Sequence, residues 1–511
     1  MTLSPAFDDF APAYDRGEAQ VVWRRLIDDL ETPISAYLKV GLGRPYAFLL
    51  ESMSDGGLLR GRYSIVTLAP DLVWRCHGDR AEIAEGEDAV RAGAFKTAAE
   101  PALTSLRALV QASRMPLPPE LPPMASGLFG VLGYDMIRLV EPIGKAKADK
   151  LNMPDGVMTR PSVVCVFDSI SQDILLIAPI RPAKGVDAKA AYDAAMQRLD
   201  SLETDLRLPA PRLRAREPHA QVKPTSPVKR EDYHRIVAKA REYIAAGDIF
   251  QVVPSHRFRA PFEFHPFAFY RSLRRLNPSP YLFFLDFGDF QLAGSSPEIL
   301  VTLKDGKVVI RPIAGTRPRG ATPEEDLALE QELLADPKER AEHLMLLDLG
   351  RNDVGRAVML NDEGSNAPRS TKPRVRVTYS FQVHRYSTVM HIVSDVEGDA
   401  PEGLDPVDVI LTALPAGTLS GAPKVRAMQI IDELETEKRG MAYAGAAGYI
   451  SSTGQVDTCI ILRTALFKDG MMYVQGGGGV VADSDADAEY DETLHKTRAL
   501  RRAADEAWRF A

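Results

Sequence analysis

Two stretches of this chain repeat one spacing of carboxylates. Glu339 and Glu342 stand three residues apart, as do Glu489 and Glu492, and Lys496 lies one turn beyond the second pair. Residues three or four apart share a helix face, so each pair presents two carboxylates in one direction. Hard divalent cations take oxygen ligands, and Mg2+ binds one or two carboxylates while keeping several waters. Two such helices facing each other suit that ion, although a single ExxE is commonplace on solvated helices, with Glu492 and Lys496 then a surface ion pair. Small residues fill the segment from Pro415 to Lys424, which runs into a helical stretch at 425–434. A loop of this kind exposes backbone N–H groups to an anion, but GxxxxGK[ST] is absent. Residues 476–479 are four consecutive glycines after a strand-like 471–474. They read equally as an N–H nest approached by a ligand and as a tight turn or bulge. His391 sits within Val389-Met390-His391-Ile392-Val393, and from those neighbours alone it reads as a strand or core histidine.

The elements that must carry these residues are partly legible. Thr322-Pro323-Glu324-Glu325 and Asp336-Pro337-Lys338-Glu339 each place a capping side chain, a proline at the first turn and a glutamate at the third position. Both predict helix starts, the second directly before Glu342. Tyr233, Ile236, Val237, Ala240 and Ile244 share a helical face, Gly247 stops that helix, and 250–253 reads as a strand ended by Pro254. In the N-terminal half, the apolar runs 46–50, 63–68 and 127–132 are expected strands. The proline- and arginine-rich break at 208–227 predicts a linker between an N-terminal region, 1–207, and a C-terminal region, 228–511. Strands and helices mix without a regular βαβ alternation, and no GxGxxG follows a strand. A doubly wound nucleotide fold is therefore not expected, and no internal repeat suggests a solenoid.

Composition sets outer bounds. The chain has 511 residues, 45% hydrophobic and 26% charged, which is ordinary for a globular protein of two or more domains or one large intertwined unit. A net charge of −8 argues against a dedicated nucleic-acid binder. Cys76, Cys165 and Cys459 form no CxxC, so neither a disulfide framework nor a zinc site is expected, and reduced cytoplasmic thiols are the default. The first ten residues carry two aspartates and no basic stretch, unlike a secretory signal. The apolar run at 162–180 is interrupted by Asp168, Ser169, Ser171 and Asp173 and reads as two strands. No membrane span is expected.

Taken together, the segments 244–255 (IAAGDIFQVVPS), 277–285 (NPSPYLFFL), 294–301 (GSSPEILV), 311–320 (RPIAGTRPRG) and 339–353 (ERAEHLMLLDLGRND) resemble the chorismate-utilising enzymes, and among them the component I, or large-subunit, anthranilate synthases. The likeness continues through 385–394 (RYSTVMHIVS), 414–428 (LPAGTLSGAPKVRAM), 457–465 (DTCIILRTA) and 476–493 (GGGGVVADSDADAEYDET), in family order over nearly all of the C-terminal half. The resemblance implies an α+β fold with two large antiparallel sheets packed face to face and helices outside. It implies Mg2+ held by Glu342 and Glu492, with Glu339 and Glu489 acting through water. Gly315, Thr316, Tyr443, Arg463, Gly477, Gly478, Gly479 and Lys496 would contact chorismate, a dicarboxylate. Glu298, Thr316, Thr418 and His391 would be catalytic. Glu298 would protonate the departing C4 hydroxyl while ammonia adds at C2, and His391 would serve the pyruvate elimination that follows. That implication reverses the plain reading of His391.

The fold alone cannot choose among relatives that make different products from chorismate. Ala314 is the informative position, because aminodeoxychorismate synthases commonly present a nucleophilic lysine there. Alanine leaves room for ammonia, and Thr418 agrees with the anthranilate branch. The rival readings are an aminodeoxychorismate synthase and a chorismate or tryptophan sensor that has lost catalysis. Leu49-Leu50-Glu51-Ser52 resembles the element that binds L-tryptophan as feedback inhibitor. Leu50, Glu51, Ser52, Arg62, Pro280, Tyr281, Leu282 and Cys459 are the residues so implied, with a strand end and turn as the plain alternative. No cysteine stands on a glycine-rich elbow, so a separate glutamine amidotransferase subunit, component II, is the expected ammonia source. The basic stretch 364–379, with Arg369, Lys372, Arg374 and Arg376, reads as a surface loop or as a contact for that partner.

Overall fold

The computed structural model describes residues 3–54, 59–211, 222–359, 375–386 and 389–511. The centre of the expected linker and most of the basic 364–379 stretch lie outside these residues. Arg376, which lies inside them, pairs with Glu397 and Asp399.

Two long strands, Leu59–His77 and Gly156–Asp168, organise the architecture. Their outer halves pair as 63–68 with 163–168, and their other halves as 72–76 with 156–160. Pro70 stands opposite Pro161 between the two stretches, and the register shifts there. Proline donates no ladder hydrogen bond, so this is where each strand can bend from one layer into another.

The first layer runs from Gln20–Ile27 through Asp173–Ile180 and the two long strands to Phe48–Ser54. It continues with Tyr281–Asp286, Phe290–Ser296, Thr464–Lys468, Met471–Gly477 and Ser255–Pro261. The second layer starts with Lys96–Pro101 and Arg80–Glu85, shares the long strands, and passes through Gly127–Leu132 to Ala446–Ser451 and Val456–Ile460. Ile299–Lys304, Lys307–Ile310 and Val389–Asp399 follow, the last flanked by Ile313–Pro318 and Val375–Arg385. The expected pair of antiparallel sheets is present, joined by shared strands. N- and C-terminal sequence interleave, since 48–52 pairs with 281–285 and 127–132 with 446–451.

Side chains alternate between faces of a strand, and the cores follow that alternation. Val164 and Val166 join the interior core together with Phe48, Phe129, Phe283, Leu285 and Cys459. Val163, Cys165 and Phe167 point the other way, into a layer of helices represented by Tyr192, Leu199, Phe267, Tyr270 and Leu500. On the opposite outer face, Leu106, Leu347, Val354 and Ile410 come from a second set of helices. Both expected helix starts are found. Thr322 accepts a hydrogen bond from the Glu325 amide before Pro323–Ala335, and Asp336 accepts from the Glu339 amide before Pro337–Met359. Among the described residues no helix is long and apolar enough to cross a membrane.

Candidate active site

A cavity of about 810 Å3 opens between the edge of the second layer and the two helices bearing ExxE, Pro337–Met359 and Ala486–Glu506. Glu339, Glu342, Glu489, Glu492 and Lys496 line it, as do Glu298, Ala314, Gly315, Thr316, His391, Thr418, Tyr443, Arg463, Gly477 and Gly479. Residues scattered over two hundred positions of sequence thus meet in one space.

The strand Ile313–Pro318 pairs with Val389–Asp399, setting Thr316 opposite His391, and the ladder shifts register between Ala314 and Thr316. Gly315 is the extra residue, with φ +67°, and an added Cβ would sit 3.1 Å from Leu333 Cδ1 and 3.2 Å from Glu339 Oε2. The left-handed backbone favours glycine, and a Cβ would press on the ends of both side chains. The bulge turns the Gly315 carbonyl toward His391 Nδ1 at 2.9 Å, and Thr316 Oγ1 lies 3.0 Å from the same nitrogen. A carbonyl only accepts, so Nδ1 carries the proton in the neutral ring and Nε2 keeps its lone pair. Burial, with help from the nearby Arg463 cation, lowers the His391 pKa to about 4, against the Gly315 hydrogen bond that raises it. The imidazole is neutral at pH 7.

Glu298 follows Ser-Ser-Pro at the head of Ile299–Lys304 and is 9% exposed. Thr418, on a short turn at 417–419, donates to its carboxyl oxygens at 3.3 and 3.4 Å. Burial raises the Glu298 pKa to about 8, outweighing the Thr418 hydrogen bond and the Arg463 charge, which lower it. An acid kept protonated and a base kept neutral therefore face one cavity. Arg463 holds a left-handed backbone, φ +47°, and burial lowers its pKa. No hydrogen bond or ion pair joins its guanidinium to a described residue, which leaves its planar fork to the cavity.

Lys496 Nζ pairs with Glu492 at 2.6 Å and donates to the Gly477 carbonyl at 3.0 Å. Gly478 lies behind the cavity wall: its N–H is 3.3 Å from both the Tyr233 hydroxyl and the Pro254 carbonyl, and a Cβ there would come within 2.6 Å of Glu489 Oε2. The glycine run therefore makes room for a carboxylate as well as lining the cavity. Glu489 Oε2 is buried with no partner among the described residues, while Ser484 donates to the other oxygen at 2.7 Å. Burial and then the Glu339 charge raise the Glu342 pKa, with Glu492 adding to the effect. Burial also raises Glu489, and Glu492 adds to it. Surplus carboxylate oxygen facing a polar cavity fits a hard dication. The set is not closed as it stands, since no three His, Cys, Asp or Glu side chains among the described residues are grouped to hold a metal. Lys496 on Glu492 and Arg317 on Glu339, at 3.2 Å, occupy two of the four carboxylates.

A second cavity of about 760 Å3 lies beside the first, bordered by Ser52, Pro280, Tyr281, Ile299, Arg311 and Asp457. Leu50, Tyr281 and Cys459 pack on the same interior face. Strand alternation sends the neighbouring residues outward. Glu51 binds Arg274 at 2.7 and 2.8 Å and accepts from Tyr270 at 2.6 Å, and Leu282 joins the outer helix core. Arg62 is half-exposed and paired with Asp168. Of the residues expected around an amino acid, Ser52, Pro280 and Tyr281 border this cavity. The main cavity is also lined by residues that no local motif marks, among them Tyr386, Pro297 and Gln475. Tyr386 stands five residues before His391, a closeness that only the hairpin makes meaningful.

The family model for the chorismate binding enzymes matches residues 70–502, and the chain belongs to that family. Within it, the likeness is to one branch. The chain is 52% identical over 99% of its length to anthranilate synthase component 1 of Cereibacter sphaeroides, covering 98% of that protein. It is 41% identical over 98% of its length to the component 1 of Aquifex aeolicus, also covering 98% of it. The crystal structure of anthranilate synthase component I from Streptococcus pneumoniae TIGR4 superposes with a TM-score of 0.73 at 36% identity, over 94% of this chain and 99% of that one. The menaquinone-specific isochorismate synthase of Escherichia coli shares the fold, with a TM-score of 0.69 at 18% identity over 98% of this chain and 99% of that one.

Proposed function

We propose that this chain is the chorismate-aminating subunit of an anthranilate synthase, acting in the cytoplasm in the first step of tryptophan biosynthesis. The observation that carries the reading is that Glu298 and His391 line one cavity, where burial favours the neutral form of each, together with Ala314 and with Arg463, whose guanidinium is unpaired among the described residues. Arg463 and Lys496 hold the substrate carboxylates. Ammonia forms a bond to C2, the ring double bonds shift, and the C4–O bond breaks as Glu298 delivers its proton, releasing water. The added nitrogen loses a proton, giving aminodeoxyisochorismate. His391 Nε2 then takes the C2 proton, the C3–O bond breaks, and enolpyruvate leaves as pyruvate from an aromatic ring. This is a lyase reaction. Bound Mg2+, held by Glu342 and Glu492 with Glu339 and Glu489 behind water, would neutralise a substrate carboxylate. Glu492 must then exchange Lys496 for the ion.

Ammonia has to come from elsewhere, because burial raises the thiol pKa of Cys76, Cys165 and Cys459 and leaves no activated nucleophile for glutamine. Use of glutamine would require a component II amidotransferase as partner. Purified chain given chorismate, Mg2+ and ammonium at alkaline pH should release anthranilate and pyruvate, and glutamine should not replace ammonium. Formation of 4-amino-4-deoxychorismate, or no turnover, would overturn the reading.

Inhibition by tryptophan is supported by the second cavity, which offers Pro280, Ile299 and Ile313 to an indole and Ser52, Arg311 and Asp457 to the amino-acid end. Ser52→Phe places a ring in that space. It should weaken inhibition by roughly tenfold or more, equivalent to about 1.4 kcal/mol, while uninhibited turnover stays close to wild type. A flat inhibition curve in the wild type would end this part of the proposal.

A further inference from the structure

Pro297, Ile313 and Tyr386 border both cavities. Pro297 precedes Glu298 and Ile313 precedes Ala314-Gly315, so the partition is continuous with the active residues. Pro297 has no rotamer freedom and Ile313 is β-branched and stiff, whereas the Tyr386 ring can swing about two side-chain torsions. Its backbone is fixed on both sides: its N–H donates to the Val389 carbonyl at 2.7 Å and its carbonyl accepts from Arg319 at 2.9 Å. Arg319 is itself clamped by Asp326 at 2.7 and 3.1 Å. The ring meets the His391 imidazole edge-on, centroids 5.3 Å apart and planes at 71°. The hydroxyl makes no hydrogen bond to a described residue. Hydrogen bonding fixes His391 only at Nδ1, so the tilt of its ring, and with it the aim of Nε2, depends on what packs against the imidazole. An edge-to-face partner does this without altering its proton.

We infer that Tyr386 is a positioning residue for His391 and the panel through which occupancy of the second cavity reaches it. The inference rests on the proposed roles of His391 and of the second cavity. A ligand filling that cavity lies against the far face of the ring, and a ring displaced from that side enters the active cavity at His391.

Tyr386→Ala and Tyr386→Phe test this, with chorismate consumption, released aminodeoxyisochorismate and anthranilate measured in parallel, and tryptophan binding followed by equilibrium dialysis. The alanine variant should lose the elimination step more than the amination step and release aminodeoxyisochorismate. It should still bind tryptophan but be inhibited at least about tenfold more weakly. The phenylalanine variant, which keeps the ring, should restore anthranilate as sole product and restore inhibition. If Tyr386→Ala slows both steps equally with no free intermediate, or stays as sensitive to tryptophan as wild type, the inference is wrong. A wild-type protein that makes no anthranilate would instead remove the functional reading beneath it.

Discussion

Replacing Glu298 with glutamine should lower kcat for anthranilate by roughly 10²- to 10⁴-fold, the range contributed by a positioned general acid, while making the protein more stable at alkaline pH. Both effects follow from one fact. Among the described residues the carboxyl has no ion-pair partner at hydrogen-bond distance and receives only the Thr418 hydroxyl at 3.3 and 3.4 Å, so burial raises its pKa to about 8. Glutamine preserves the shape and an acceptor for Thr418 but has no proton to give to a leaving hydroxyl. In the wild type, kcat/KM for chorismate, expressed against free ammonia, should fall as pH rises through about 8. The stability effect runs in the same window. Below the ordinary carboxyl value of 4.5 the group is neutral in both folded and unfolded chains. Above it the unfolded chain loses the proton while the folded chain keeps it, so wild-type stability declines from about pH 4.5 to 8 and then levels. At about 1.4 kcal/mol per pKa unit, the penalty is a few kcal/mol. Tm of Glu298→Gln should therefore exceed wild type at pH 8 and match it near pH 4. A variant within tenfold of wild-type kcat, or a wild-type profile with no limb near pH 8, would remove Glu298 as the acid.

The parts of this molecule that sequence discloses are those written in local chemistry. Thr322 and Asp336 announce their helices because an N-cap bond and a following proline lie within four residues. The ExxE pairs are legible because a helix makes three-residue spacing a shared face. Layering is not legible in this way: Leu50 and Ser52 face inward and Glu51 outward, and four consecutive letters cannot tell which side is occupied by Arg274, 223 positions away. The Glu51 carboxylate is taken by that distant arginine, so its motif-level assignment to an amino-acid ligand does not specify what it touches in the fold. Nor could the interleaving of the two sequence halves be read from the proline-rich break, since the pairing of 48–52 with 281–285 is a long-range ladder. Gly478 is a case between the two. A glycine run signals close approach of something, but only the fold shows that the visitor is the Glu489 carboxylate.

Replacing His391 with methionine should stop the reaction halfway. Methionine fills a comparable volume and packs against Tyr386 but cannot accept a proton, so amination of chorismate should continue while anthranilate output falls by roughly 10²- to 10⁴-fold and aminodeoxyisochorismate accumulates. The asymmetry follows from the proposed roles, in which the proton for the departing hydroxyl comes from Glu298 and does not pass through the imidazole. It also predicts where the wild-type enzyme should imitate the variant. His391 has its pKa lowered to about 4, so Nε2 is available at neutral pH and becomes protonated only as pH falls through that value. Chorismate consumed near pH 4 should therefore yield a rising share of intermediate, whereas above pH 8 both products should decline together as Glu298 loses its proton. The two limbs belong to different steps, which a single rate measurement would merge into one bell and product partition separates. Unchanged anthranilate output from His391→Met, or loss of both products in constant ratio at low pH, would take the histidine out of the elimination and leave the Gly315 bulge without a catalytic purpose.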